Sequence, residues 1–93
     1  MMYTIKPTSK FKRDMKTLAK RGCNLDLITD VIKKLATGQQ LEPQYNDHPL
    51  KGNWAGHREC HIQPDWLLIY RIDNDVLVLS LVRSGTHSDL LDM

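Results

Sequence analysis

Three stretches rich in strand-forming residues follow one another in the second half of the chain, and they constrain its fold more than any other feature. Apolar and polar residues alternate over 58–62, and similar runs occupy 66–72 and 76–82. The two breaks, Gln63-Pro64-Asp65 and Asp73-Asn74-Asp75, have the composition of tight turns. Short turns between successive strands predict an antiparallel meander. The last run is apolar at both parities, which predicts a central strand buried on both faces.

The first half of the chain has the three-to-four-residue period of helices. After a short strand over 2–6 that Pro7 ends, Ser9 is a candidate N-cap and Gly22 a helix stop. Asn24 can cap a second helix that stops at Gly38. The apolar positions at helical spacing are Phe11, Met15 and Leu18 in the first helix, and Leu25, Ile28, Ile32 and Leu35 in the second. The order β-α-α-β-β-β predicts an α+β fold in which a helical hairpin packs on a small antiparallel sheet.

Length and composition indicate one globular domain over 1–93. The chain is 41% apolar and 26% charged, which is ordinary for a folded soluble protein. The N-terminus shows no secretory pattern, and the run 76–82 is too short to span a bilayer. Cys23 and Cys60 are far apart in sequence and are expected to be reduced thiols, with Cys60 in the core. These features predict a cytoplasmic protein.

The positive charge of the chain is concentrated in the first helix. Six of its cations lie between residues 10 and 21 against one acid, Asp14: Lys10, Lys12, Arg13, Lys16, Lys20 and Arg21. Such a stretch is either a solvated helix face or a surface for phosphates or an acidic partner. The charge pattern alone leaves both interpretations open.

Three of the four histidines lie where rigid sheets commonly hold catalytic groups. His48 is in the long irregular segment 38–56, in the sequence Asp47-His48-Pro49. His61 ends a predicted strand beside the turn that carries Asp65. His87 follows the last strand, four residues after Arg83.

Metal and covalent chemistry are disfavoured by the spacing of the candidate ligands. His57 and His61 are four residues apart, which on a strand means about 13 Å between Cα atoms, too far to share an ion. No Cys-x-x-Cys, His-Glu-x-x-His, Gly-x-Ser-x-Gly or glycine-rich phosphate loop occurs. We therefore expect neither a metal nor another cofactor.

Metal-free cleavage of RNA needs residue types that this chain does contain. A base removes the proton of the ribose 2′-hydroxyl, an acid protonates the leaving 5′-oxygen, and a cation stabilises the phosphate. Histidine suits both proton roles, and arginine binds phosphate oxygens bidentately. The candidates are His48, His61, His87, Asp65 and Arg83.

Between residues 45 and 90 the chain closely resembles the YafQ branch of the RelE superfamily of toxins. The resemblance rests on Asp47-His48-Pro49-Leu50, on Gly52 and Trp54, on Arg58-Glu59-Cys60-His61-Ile62, on the run from Pro64 to Tyr70, and on Gly85-Thr86-His87-Ser88-Asp89-Leu90. It implies the RelE-like ribonuclease fold and codon-dependent cleavage of messenger RNA in the ribosomal decoding site. It also implies neutralisation by a small DNA-binding antitoxin of the DinJ kind, in a complex that binds operator DNA.

The family's functional positions fall here on His48, His61, Asp65 and His87, with Arg83 near the phosphate and Glu59 as a supporting acid. We assign His87 as the proton donor to the leaving oxygen and His48 or His61 as the base, while Asp65 orients a histidine or the ribose. The remaining predicted phosphate- and RNA-binding residues are Lys10, Lys12, Arg13, Lys16 and Lys51. Leu91 stands where the family commonly has an aromatic residue, which a base could stack on.

Two other functions compete with this one. The chain could be a non-catalytic nucleic-acid-binding module that uses the basic helix, or an inactive toxin relative that represses transcription with its antitoxin. The binding module would explain the basic stretch from Lys10 to Arg21 but leaves the histidine, aspartate and arginine set without a role.

Overall fold

The structure, a computed structural model, describes residues 2–91, except that the side chain of Leu91 lies outside the description. The elements run β1 (Thr4–Pro7), α1 (Ser9–Lys20), α2 (Leu25–Ala36), β2 (His48–Pro49), β3 (Arg58–Gln63), β4 (Trp66–Asp73), β5 (Val78–Gly85) and α3 (His87–Leu91). Two 3₁₀ turns, Pro43–Tyr45 and Gly52–Trp54, flank β2. Over residues 2–91 no helix is long and apolar enough to cross a membrane.

The predicted α+β fold is confirmed, but its sheet is mixed rather than purely antiparallel. The five strands are ordered β1-β5-β4-β3-β2. The meander β3-β4-β5 is antiparallel as predicted, whereas β1 pairs in parallel with β5. A parallel pair needs a long crossover, and here that crossover is the whole chain from α1 to β4.

The strand buried on both faces is β4. The predicted strand 76–82 is internal, since β5 lies between β1 and β4, but the prediction that it would be buried on both faces is wrong. Residues Trp66–Tyr70 are all buried. Val76 is 64% exposed and Leu77 lies in the turn before β5, with φ 53°. The apolar character of this turn made the strand look as though it began earlier.

The two faces of β4 belong to different layers. Trp66, Leu68 and Tyr70 pack in the main core, which also contains Phe11 and Leu18 of α1 and Ile28, Val31 and Leu35 of α2. Leu67 and Ile69 point to the opposite face, where Leu90, Leu50 and Trp54 cover them. The helices therefore cover one face of the sheet and leave much of the other to loops and α3.

The predicted ends of α1 and α2 are confirmed except for the N-cap of α1, and the short helix α3 was not predicted. The N-cap of α1 is Thr8, whose Oγ1 accepts from Phe11 N, rather than Ser9. Asn24 caps α2 as predicted, and Gly22 and Gly38 follow the two helices with φ of 81° and 77°.

Cys60 lies in the core, as predicted. It is fully buried, and this burial raises the pKa of its thiol to about 12.

Candidate active site

A row of side chains crosses the sheet on the face that the helices leave open. His48 of β2 is the register partner of Glu59, which pairs with Ile69, which pairs with Arg83. His61 pairs with Leu67 in the next row. Partners in register share a face, so Glu59 and His61 lie beside the apolar patch of Leu67 and Ile69.

Glu59 is the buried carboxyl group of this face. Its side chain is 5% exposed, and its Oε1 lies 3.2 Å from Nε2 of His61 and 3.7 Å from Nε2 of His48. Burial of a carboxylate is costly unless it is paired. A proton on either histidine would therefore be paired directly with Glu59.

His87 is held by Asp65 at the end of the meander. The Oδ1 atom of Asp65 lies 2.8 Å from Nδ1 of His87 and also accepts from its backbone N at 3.2 Å. These hydrogen bonds hold the pKa of Asp65 below its usual range. Because an ionised carboxylate only accepts, Nδ1 donates this hydrogen bond, which leaves Nε2 to give or take a proton.

The three histidine rings form one continuous group. Ring centroids are 6.3 Å apart for His48 and His61, and 5.8 Å apart for His61 and His87. The structure thus brings the four predicted catalytic residues and Glu59 together from a loop strand, a strand end, a turn and a helix start. His57 lies outside this group, with its ring against Trp54 and Nδ1 on Ala55 O.

Arg83 is already engaged by an acid that the sequence analysis gave no role. Its Nε and Nη2 donate to Asp14 of α1 at 2.8 and 3.0 Å. The only signal for Asp14 in the sequence was its position as the single acid within the basic stretch. Lys10 and Arg13 line a cleft of about 290 Å³ together with Asp14 and Arg83. Of the other predicted RNA-binding cations, Lys12, Lys16 and Lys51 are exposed.

His48, Glu59 and His61 also have the chemistry of a metal site. One ligand atom from each lies within 4.8 Å of the others, and imidazole with carboxylate suits Zn²⁺ or Cu²⁺. The spacing argument made from the sequence considered neighbours along one strand and therefore overlooked ligands on paired strands. Residues 2–91 contain no second group of this kind.

Fold and site together define a class of protein: a small α+β protein with a cluster of histidines and carboxylates on one face of its sheet and with arginine and lysine side chains nearby. Such a cluster can move protons at two points of a substrate that the cations hold.

Comparisons with known proteins give the family. Residues 3–92 match the family described as "Bacterial toxin of type II toxin-antitoxin system, YafQ". The chain is 33% identical over 87 residues to the mRNA interferase toxin YafQ of Escherichia coli K12, with 92% of each chain covered. It therefore belongs to the YafQ family of toxins of type II toxin–antitoxin systems.

Two solved structures agree with this assignment. A metal-bound toxin from Helicobacter pylori is 49% identical, with a TM-score of 0.89 over 97% of this chain and 99% of that one. The YafQ of the E. coli DinJ–YafQ toxin–antitoxin complex is 32% identical, with a TM-score of 0.88 over 97% of this chain and 98% of that one.

Proposed function

We propose that the protein is an endoribonuclease that cuts messenger RNA on the ribosome. The observation that carries the proposal is the continuous group of His48, His61 and His87 with Asp65 and Glu59 on one open face. Proton transfer at two sites of a phosphodiester is the chemistry this group suits best. The name of the E. coli relative supports messenger RNA as the substrate.

The reaction would begin with the ribose of the substrate. His48 or His61 takes the proton of the 2′-hydroxyl, and the resulting oxygen attacks the neighbouring phosphorus. Glu59, within 3.7 Å of both rings, balances the positive charge that the base acquires. The phosphate then becomes a 2′,3′-cyclic ester as its bond to the 5′-oxygen breaks.

The leaving oxygen must receive a proton as that bond breaks. His87 would supply it from Nε2, because its Nδ1 is bonded to Asp65. Arg83, Lys10 and Arg13 would stabilise the charge that builds on the phosphate. The products are a 2′,3′-cyclic phosphate and a 5′-hydroxyl.

The site also has the ligand set for a divalent ion. His48, Glu59 and His61 would hold it, and the ion would supply Lewis-acid stabilisation of a phosphate oxygen. The proton transfers above need these histidines free of the ion, because a ring nitrogen bound to a metal cannot take the proton of the 2′-hydroxyl.

The partners follow from the same proposal. We expect a small antitoxin to neutralise the protein, as a DinJ-like partner would, and the complex to bind operator DNA and reside in the cytoplasm. The ribosome is expected to align the messenger RNA, because a 93-residue chain has little surface for gripping a flexible strand.

End mapping tests the proposal. The same messenger RNA is incubated with the protein either free or bound in a ribosomal initiation complex, and its 5′ ends are mapped by primer extension. We expect cuts in the codon held in the decoding site and slow or no cutting of the free strand. Equal cutting of free and bound RNA would refute ribosome dependence, and the absence of cutting in both would refute the activity.

A further inference from the structure

Helix α1 directs two charged side chains of opposite sign towards the end of β5. Asp14 and Arg21, which is the C-cap of α1, are seven residues apart, about two helical turns, so they lie on the same side of the helix. β1, which pairs with β5, ends at Pro7. The next residue, Thr8, still bonds to β5, because its Oγ1–H donates to Val82 O at 2.8 Å. Beyond that point α1 is the element that meets the segment carrying Arg83 and His87.

Asp14 fixes the orientation of Arg83. Its Oδ2 accepts both Arg83 Nε and the backbone N of Ser84, at 2.8 and 3.0 Å, and its Oδ1 accepts Nη2. The two side chains are only 14% and 23% exposed. Within residues 2–91 no hydrogen bond of Nη1 is present. The carboxylate therefore binds one edge of the guanidinium and leaves the end with Nη1 for a phosphate.

Arg21 fixes the segment that carries His87. Its guanidinium donates to both carboxylate oxygens of Asp89, at 2.6 and 3.1 Å. Asp89 also accepts Thr86 N at 3.0 Å, and Thr86 Oγ1 accepts Asp89 N at 3.1 Å. This reciprocal pair is a capping box at the start of α3, and His87 is the next residue after Thr86.

The short helix α3 needs such ties. It has five residues, too few to be stable alone in water. Hydrogen bonds from Arg21 and from the backbone N of Thr86 hold the pKa of Asp89 well below its usual range, so this carboxylate is ionised wherever the protein works.

We propose that Asp14 and Arg21 are positioning residues that hold Arg83 and His87 in register with the substrate. The proposal rests on the ribonuclease function above. The Arg21–Asp89 pair is exposed, and exposed ion pairs contribute little to stability, so the expected effect of breaking it is on the geometry of the site. The Asp14–Arg83 pair is partly buried, so its loss is expected to change both the geometry of the site and the stability of the fold. A misplacement of about 1 Å can cost roughly 10²-fold in rate.

The test separates positioning from attraction. Asp14→Asn keeps the shape of the side chain but removes one negative charge beside the phosphate cleft. Cleavage rate is measured on ribosome-bound messenger RNA, and affinity on the same complex carrying a 2′-deoxy sugar 5′ of the scissile phosphate. Asp30→Asn, an exposed acid on α2, is the matched control.

We expect Asp14→Asn to cut at least about tenfold more slowly at saturating substrate, with affinity equal or higher, and Asp30→Asn to match the wild type. A variant that cuts as fast as or faster than the wild type would overturn the proposal, because Asp14 would then be inert or a brake. Loss of affinity with unchanged maximal rate would also overturn it. If the wild type itself does not cut, it is the proposed function that fails.

Arg21 provides an independent arm should Asp14→Asn not fold. Arg21→Gln is expected to lower the maximal cleavage rate without loss of affinity, and Arg21→Lys to restore part of it through a single hydrogen bond to Asp89. Equal rates for all three proteins would contradict the role of Arg21. Circular dichroism melts of each variant show whether the fold is retained.

Discussion

At the scale of single residues, His87 carries the most specific assignment. Its Nδ1 is fixed on Asp65, and its ring follows His61 in the group. Replacing it with alanine removes the proposed proton donor and no core contact. We predict that His87→Ala lowers cleavage by about 10² to 10⁴-fold and abolishes growth inhibition.

The control for this substitution is His57→Ala. His57 contacts Trp54 and lies outside the catalytic group, so its loss should leave cleavage near the wild-type level. A His87→Ala protein with full toxicity would remove His87 from the mechanism.

The cluster of His48, Glu59 and His61 leads to a second residue-scale prediction. The proton transfers proposed here need no ion held by these side chains. Protein treated with chelator, desalted and verified as metal-free by mass spectrometry should cut ribosome-bound messenger RNA at the original rate. The chelator must be removed first, since ribosomes require magnesium. Activity that disappears and returns with one equivalent of a divalent ion would contradict a proton-only mechanism.

At the scale of elements, the join between β5 and α3 sets where His87 sits. Gly85 ends β5, and a Cβ atom there would lie 2.9 Å from Oδ2 and 3.0 Å from Cβ of Asp89. We predict that Gly85→Ala displaces Asp89, lowers the free energy of unfolding by about 1–3 kcal/mol and slows cleavage. Urea denaturation and cleavage assays measure both. Wild-type values for stability and rate would show that the join accommodates the methyl group.

The elements also show what could be predicted from the sequence. The hairpin turns, the cap at Asn24 and the helix stops depend on residues next to one another in the chain, so the sequence alone predicted them. The parallel pairing of β1 with β5 is a contact between distant segments, and α3 was too short to show a period. The meeting of His48 with Glu59 and His61 depends on strand register. Local pattern predicted the parts of the site but not the ion pair of Asp14 with Arg83.

At the scale of the whole molecule, charge is unevenly distributed. The net charge is only +2, yet the exposed side of α1 carries Lys12, Lys16 and Lys20. We predict that an acidic antitoxin segment associates faster at low salt, because steering by unlike charges raises association rates. Stopped-flow measurements across ionic strength test this, with Lys12→Gln/Lys16→Gln expected to show a weaker dependence. An association rate independent of salt would refute the electrostatic part.

The chain belongs to the YafQ family of toxins, and in the mechanism we propose for it the substrate provides its own nucleophile. The 2′-hydroxyl adjoins the scissile phosphorus, and the protein has to align it, remove its proton and protonate the leaving oxygen. His48 or His61 performs the second task in our proposal, and His87 performs the third.

The most direct measurement uses a messenger RNA with one 2′-deoxy sugar immediately 5′ of the scissile phosphate, bound in the ribosomal decoding site. Its cleavage is compared with that of the all-ribose strand at saturating protein. We predict that the deoxy strand binds the complex normally and is not cut, while the ribose strand gives a 2′,3′-cyclic phosphate and a 5′-hydroxyl. Cleavage of the deoxy strand at the ribose rate would mean that water or a protein group attacks the phosphorus, and would contradict the mechanism.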